Sequence, residues 1–590
     1  MEKTHLCKLG GDVWRVIRFS AVLFLIIFPM TSCSKSNPAL PDGGAISDLR
    51  KLREMLWTEG DHTIAAQAAK ERRADVSNVV LGKEYMKTSI PAGNGKRGYI
   101  LTHDDDIPSA QDPVELVVVT WSQMSSMPYD GGTYDYWDVY FSVLAYDENG
   151  MLSEESPDFQ VPNPTWNPGY GPIPAIQNYP CVTAHIEKVG SNPGTPLLVV
   201  DIAFQRGCYY YGVEDLWMVS HVQYVQSDPD LYSSFDKVGL EGGVDRVAPA
   251  DPWNYYAIHP DIVYGTYYRE DGPGEIANID YLMVVFEMIE KETSEAAIVY
   301  AQTPDPDDHW PWYWTYQSAS GTGVTPDQGI PQYPRIDAGI DCSDPLLPNP
   351  QFYIAAVVWH TVYDAGDFLS SVLFFNYKPF NVPPFGRRFL TYPFLFDQFD
   401  TIAAPNGLPY VDIDPIENLL EGHTPETYSH MVWTRFILPD GSNIKPYYTN
   451  SELVMQYWWD PVQAIRQVYD GGDDYREGLT AISTYSDQTD NDPYDRVGTI
   501  QFISAQNEAT EYPVYSVDFS FEDQDPQTLH FEDPEGVSDS GNSSSDEYPW
   551  ECGPSSAMRG GDVTFCAWTK KFQQEQPPLL IYDIISDQDL

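Results

Sequence analysis

From residue 99 onward, short runs of β-branched and aromatic residues alternate with clusters of Pro, Gly, Asn and Asp, and the helical spacing of apolar residues in 46–73 is gone. This pattern predicts an all-β body. One run recurs seven times, an apolar strand closing on a large side chain, at 117–121, 198–202, 283–286, 356–359, 430–433, 498–502 and 564–568. Its closing residues are Trp121, Ile202, Phe286, Trp359, Trp433, Phe502 and Trp568, separated by 81, 84, 73, 74, 69 and 66 residues. Another large ring follows each of the last five closing residues after 13 to 15 positions: Tyr300, Phe374, Tyr447, Tyr515 and Tyr582. A proline-bearing element precedes four of the runs, at Tyr179-Pro180, His259-Pro260, Tyr333-Pro334 and Pro409-Tyr410. A continuously apolar strand needs cover on both of its faces. Seven such units therefore predict a seven-bladed β-propeller over 99–590, with a six-bladed ring plus one irregular appendage as the alternative. The last unit looks short of a strand, and 98–102 is the segment expected to pair with it, because an open edge invites unwanted pairing.

The amino terminus reads as an address. Lys8, Arg15 and Arg18 precede the apolar stretch 21–28, which is too short to cross a bilayer, and small residues follow. Met30-Thr31-Ser32-Cys33 resembles the lipobox of bacterial lipoproteins, with Met30 where Leu is usual. The resemblance implies a signal peptide over 1–32, cleaved ahead of Cys33, and lipidation of that cysteine. Two acyl chains suffice for stable anchoring, so the membrane is an expected partner and the bacterial cell envelope the expected location. Ser34, in place of an Asp that would favour inner-membrane retention, points to the outer membrane. Residues 33–98 then form a lipidated tether, rich in Pro, Gly, Ser and Asn over 34–45, and a short helical stalk.

Charge narrows the partners. The chain of 590 residues carries 33 basic and 87 acidic side chains, and after residue 100 only 18 basic residues face 77 acidic ones. Such a body repels phosphate backbones, which excludes nucleic acid. Once Cys7 and Cys33 are set aside, five cysteines remain; Cys181 with Cys208 and Cys552 with Cys566 are close enough in sequence for local disulfides, and buried thiols are the alternative.

Residues 303–310 run Thr-Pro-Asp-Pro-Asp-Asp-His-Trp, and this segment resembles the Asp-box turn of sialidase-like (BNR-repeat) propellers at Asp305 and Trp310. The resemblance implies a fold; the box is a hairpin turn remote from catalysis in that family. A sialidase also needs three arginines on its substrate's carboxylate. The candidates Arg246, Arg335, Arg435, Arg476 and Arg496 do not keep the family's order around Arg335. Asp305 with Asp307, and Asp487, Asp490, Asp492 and Asp495, suit a hard cation, so Ca2+ is the one cofactor expected. Trp310, Trp312, Tyr313 and Trp314, Trp253 with Tyr255, and Trp458 with Trp459 offer rings that stack on sugars or on a protein, or that fill space between blades. No H-E-x-x-H, G-x-S-x-G or P-loop pattern occurs. The expectation is an envelope-anchored, non-catalytic protein that binds a glycan or an envelope protein. The alternatives are a diverged sialidase-like glycoside hydrolase or lyase, and a structural scaffold of an envelope complex.

Overall fold

A computed structural model describes the chain from Tyr85 to Ser586 apart from a number of connecting loops, with side chains described between Leu116 and Cys566. The signal stretch, Cys33 and the 46–73 helix lie outside the described residues. Among the described residues every regular element is a β-strand, and the strands form seven antiparallel sheets of four or five. Six sheets are built from consecutive strands. In the third, for example, Tyr255–Gly272, Glu275–Glu290, Ala296–Pro304 and Thr315–Ser318 lie side by side in chain order.

The first strands of successive sheets pack on one another. Arg97–Leu101 meets Ile176–Val189, and the series continues through Tyr255–Gly272, Ile330–Asp341, Asn406–Ile416, Tyr475–Thr484 and Ser555–Arg559, which returns to Arg97–Leu101. The seventh sheet runs Ser555–Arg559, Val563–Lys570, Leu579–Ser586 and then Tyr85–Pro91, paired as Tyr85 with Tyr582. The strand that completes it is thus Tyr85–Pro91 rather than 98–102. Arg97–Leu101 instead opens the first sheet, where Tyr99 pairs with Val118. β structure accordingly begins ahead of residue 99.

Packing explains the uninterrupted apolar runs. Val357 and Trp359 face the third sheet with Met283 and Val285, whereas the alternate residues Ala356 and Val358 face the fifth with Met431 and Trp433. Both faces of this strand are therefore core, and period 2 sorts the residues between two interfaces without exposing either. The same register corrects one repeat unit. Each first strand from the second to the sixth sheet carries a bulge, and the first residue past it pairs with Ala203, Val285, Val358, Val432 or Gln501. The next residues are Phe204, Phe286, Trp359, Trp433 and Phe502, all buried. Phe204, not Ile202, is therefore the second unit's closing residue, because the apolar run continues through Ala203.

Trp121, Trp359, Trp433 and Phe502 lie directly opposite Tyr140, Phe374, Tyr447 and Tyr515 and stack on them with centroids 5.7 to 6.1 Å apart. The 13 to 15 residue spacing is thus hairpin length around one cross-strand pair. In the third sheet the pattern slips by one residue: Tyr300 opposes Val285 and gives its hydroxyl to Gln317.

Gly339 marks a close approach between the first strands of the fourth and fifth sheets. A Cβ there would collide with the Ile413 side chain and lie 2.9 Å from the Ile413 carbonyl oxygen, and that backbone cannot yield. Gly339→Ala is expected to lower stability by about 1–3 kcal/mol through overpacking, read as a lower denaturant midpoint at unchanged slope. An unchanged midpoint would show that the fourth and fifth sheets can part at little cost.

Candidate functional site

Three of the bulges hold a ring in left-handed backbone: Tyr179 at φ 50°, His259 at φ 49° and Tyr333 at φ 49°, each just before a proline. The proline disfavours right-handed helical backbone at the preceding residue, and a bulge re-aims the side chain it carries. Here it gathers residues from separate sheets into one row. Tyr179 meets His259 edge-on at 4.7 Å, His259 stacks on Tyr333 at 4.3 Å, and Tyr333 stacks on His360 at 5.5 Å.

Polar side chains just past the closing residues fix this row. Gln205, which follows Phe204, accepts the His259 backbone N–H through Oε1 at 3.2 Å. Glu287, which follows Phe286, accepts the Tyr333 N–H at 2.7 Å through the same Oε1 that lies 2.6 Å from His259 Nδ1. The carboxylate assigns the Nδ1 proton to His259. His360 follows Trp359 in the corresponding place. Burial, with His259 and Arg335 nearby, depresses its pKa to about 3, so it is neutral at physiological pH.

A parallel set of carboxyls links first strands. Asp261 Oδ2 accepts from Ile336 N–H at 3.0 Å, Asp337 Oδ2 from Ile413 N–H at 2.7 Å and Asp412 Oδ2 from Thr484 N–H at 2.5 Å. Burial and the Asp412 carboxylate hold Asp337 well above the usual carboxyl range. The hydrogen bond between the two carboxyls raises Asp337 and lowers Asp412, which makes Asp337 the donor side of the pair. Between the second and third sheets, Asp201 lies 2.9 Å from His221 Nε2 and 3.8 Å from His185 Nδ1, and the His185 ring lies flat on Tyr264 at 3.9 Å. All three are buried, which makes this set part of the packing.

The bulged end of the third sheet also carries an exposed rim. Tyr255 pairs with Glu290, so the start of the first strand and the turn after the second lie at the same end as His259. Trp253 is 54% exposed there. Asp251 holds it, accepting the Trp253 N–H at 3.1 Å through Oδ1 and the Asn254 amide at 2.8 Å through Oδ2. The Asn254 carbonyl in turn accepts from Lys291 N–H at 2.8 Å, and the Lys291 ammonium sits 4.5 Å from the Tyr256 ring centre.

The residues expected from sequence divide accordingly. Trp253 and Tyr255 stand on this rim. Trp314 is half-buried with its ring edge-on to His221 at 5.5 Å, so it packs rather than presents a surface. Trp458 and Trp459 form a two-residue strand beside Leu453 and Met455. Trp310, Trp312, Tyr313, Asp305, Asp307, Asp487, Asp490, Asp492, Asp495 and Cys552 lie outside the described residues. Among the described residues no group of three His, Cys, Asp or Glu is arranged to hold a metal ion. Cys181 is a thiol that donates to the Ala203 carbonyl at 3.3 Å, and Cys566 is a buried thiol; neither forms a disulfide. The strand register shows why for the first pair. Cys181 lies opposite Ala203, five positions along the strand from Cys208, beyond the reach of a disulfide. Arg335 and Arg435 place their guanidiniums over Tyr410 and Tyr447 at 5.0 and 4.3 Å, not together on one point. Glu287 and His360 were not singled out from sequence, where the signal was a polar residue immediately after a closing ring; His259 was named only as part of a proline-bearing element.

No protein-family model matches the chain, and no curated protein sequence matches it. Among solved structures, a protein of unknown function from Dyadobacter fermentans is 7% identical, with 87% of this chain and 100% of that one covered and a TM-score of 0.36. The GH93 alpha-L-arabinofuranosidase of Fusarium graminearum, in complex with arabinobiose, is 9% identical with 73% and 98% covered and a TM-score of 0.37. The intramolecular trans-sialidase from Ruminococcus gnavus, in complex with oseltamivir carboxylate, is 10% identical with 86% and 98% covered and a TM-score of 0.33. Likenesses at this level transfer no residue's role to this chain.

Proposed function

We propose that the body is a seven-bladed β-propeller that binds a glycan without cleaving it, at the end where the bulges and the Trp253 rim lie, and that lipidated Cys33 holds it on the outer membrane. The cyclic packing of seven first strands supports the blade count. The observation that carries the binding reading is Trp253, a large exposed ring on a backbone held in a hydrogen-bonded turn, since a held backbone leaves less freedom to lose when a sugar stacks on the ring. The non-catalytic part of the reading is supported by Glu287 and Asp261, each of which accepts a backbone N–H from the neighbouring sheet.

A glycan array that also monitors cleavage tests this. Trp253→Ala is expected to weaken the best ligand roughly tenfold, as for a central aromatic anchor, with stability changed by less than about 0.5 kcal/mol because the ring is exposed. Appearance of cleavage products would overturn the non-catalytic reading. Retention of binding in Trp253→Ala would place the ligand elsewhere. The anchor is tested separately: Cys33→Ser is expected to move the protein from the membrane fraction to the soluble one.

A further inference from the structure

The rim around Trp253 has a charge as well as a shape. Glu290, Asp251 and Glu295 lie near Tyr255; burial raises the phenol's pKa most, and these three carboxylates raise it further, in that order of effect. The Asp251 and Glu290 carboxylates have hydrogen-bond partners within the turns. Glu290 Oε2 accepts the Thr293 hydroxyl at 2.7 Å, the Glu290 N–H donates to the Glu295 carbonyl at 2.8 Å, and Ser294 closes the turn at φ 64°. Lys291, the cation of this turn, is drawn aside over Tyr256. Trp253 is exposed in the turn that Asp251 holds, two residues from Tyr255, within a body where acidic residues outnumber basic ones about fourfold. An indole face attracts cations, and fixed carboxylates add to that attraction while opposing an anion.

We propose that the Trp253 rim selects sugars carrying a protonated amine and rejects sugar acids. This rests on the glycan-binding reading and adds the charge class of the ligand. A hexosamine freed of its acetyl group offers an apolar ring face for the indole and an ammonium for the carboxylates. A uronic or sialic acid offers the same face with the charge reversed.

Calorimetric titration of the full chain with a glucosamine tetramer, the N-acetylglucosamine tetramer and a galacturonate tetramer tests the proposal. At low salt the amine form is expected to bind roughly fivefold tighter than the acetylated form, the scale of a few exposed charge contacts. The acid is expected to bind weakest, and the spread to shrink as added salt shortens the screening length. The double variant Glu290→Gln, Glu295→Gln is expected to lose the preference while keeping its affinity for the acetylated form. Trp253→Ala is expected to weaken both the amine and the acetylated sugar. Equal or tighter binding of the acid overturns charge selection and leaves the glycan reading standing. Amine binding that survives Trp253→Ala shows diffuse attraction to the acidic body and likewise overturns the proposal. If none of the three binds to protein with an unchanged melting curve, both readings fail together.

Discussion

Replacing Glu287 with Ala is expected to destabilise the protein by about 3–5 kcal/mol, the range for removing one partner from a buried charged contact. Glu287 is fully buried, and one of its oxygens serves both His259 Nδ1 and the Tyr333 N–H. Truncation would leave two buried donors unmatched and a void between the third and fourth sheets. Glu287→Gln is the informative companion: its amide oxygen, in the place of Oε1, still accepts from both the Tyr333 N–H and His259 Nδ1–H, and only the charge is lost. Its cost is expected to be about 1 kcal/mol, the net value of an ordinary hydrogen bond. Denaturant midpoints report both effects, and hydrogen exchange at the Tyr333 amide localises them. Equal midpoints for the two variants would show that the side chain fills space and does not hold the bulge.

Raising the pH is expected to lower the wild-type melting temperature relative to that of Asp337→Asn. Asp337 has its folded pKa well above the usual 3.8, so its contribution is complete below that value and is lost as pH rises through the folded pKa. Asp412 is raised in the same sense, and burial raises Asp245 to about 6. His360 and His430 work oppositely: burial depresses each to about 3, so their contribution is present above the unfolded value of 6.5 and is lost as pH falls through it. These histidines are common to both proteins, so the difference between the curves isolates the aspartate pair. Asn at 337 donates permanently to Asp412 and still offers an oxygen to the Ile413 N–H. The variant is expected to match or trail wild type at acid pH and to melt a few degrees higher in mild alkali. Parallel curves would show that Asp337 and Asp412 do not share a proton.

The sheet pattern was legible because an apolar run buried on both faces is a strong signal. The failures lie where a strand's end or a pair's partner depends on distant chain. The sequence pattern closes the second run on Ile202, yet Asp201 is buried against His221 and the strand continues through Phe204. Tyr85–Pro91 was missed as a strand because its residues, YMKTSIP, carry little alternation and gain their pairing from a segment almost five hundred positions away. The ring row was half legible. Its prolines stood out at a repeated position, but the stacking of Tyr179, His259, Tyr333 and His360 arises only when three sheets are side by side.

The seventh sheet gives the two ends of the body a common fate. Tyr85–Pro91 can find Leu579–Ser586 only after everything between them has been made, whereas the other six sheets are each built from strands that are neighbours in the chain. Trimming either end by one strand opens the same seam. Any pull on the chain ahead of Tyr85 would also enter the body through that sheet, where backbone pairing shares the load between the first described strand and the last.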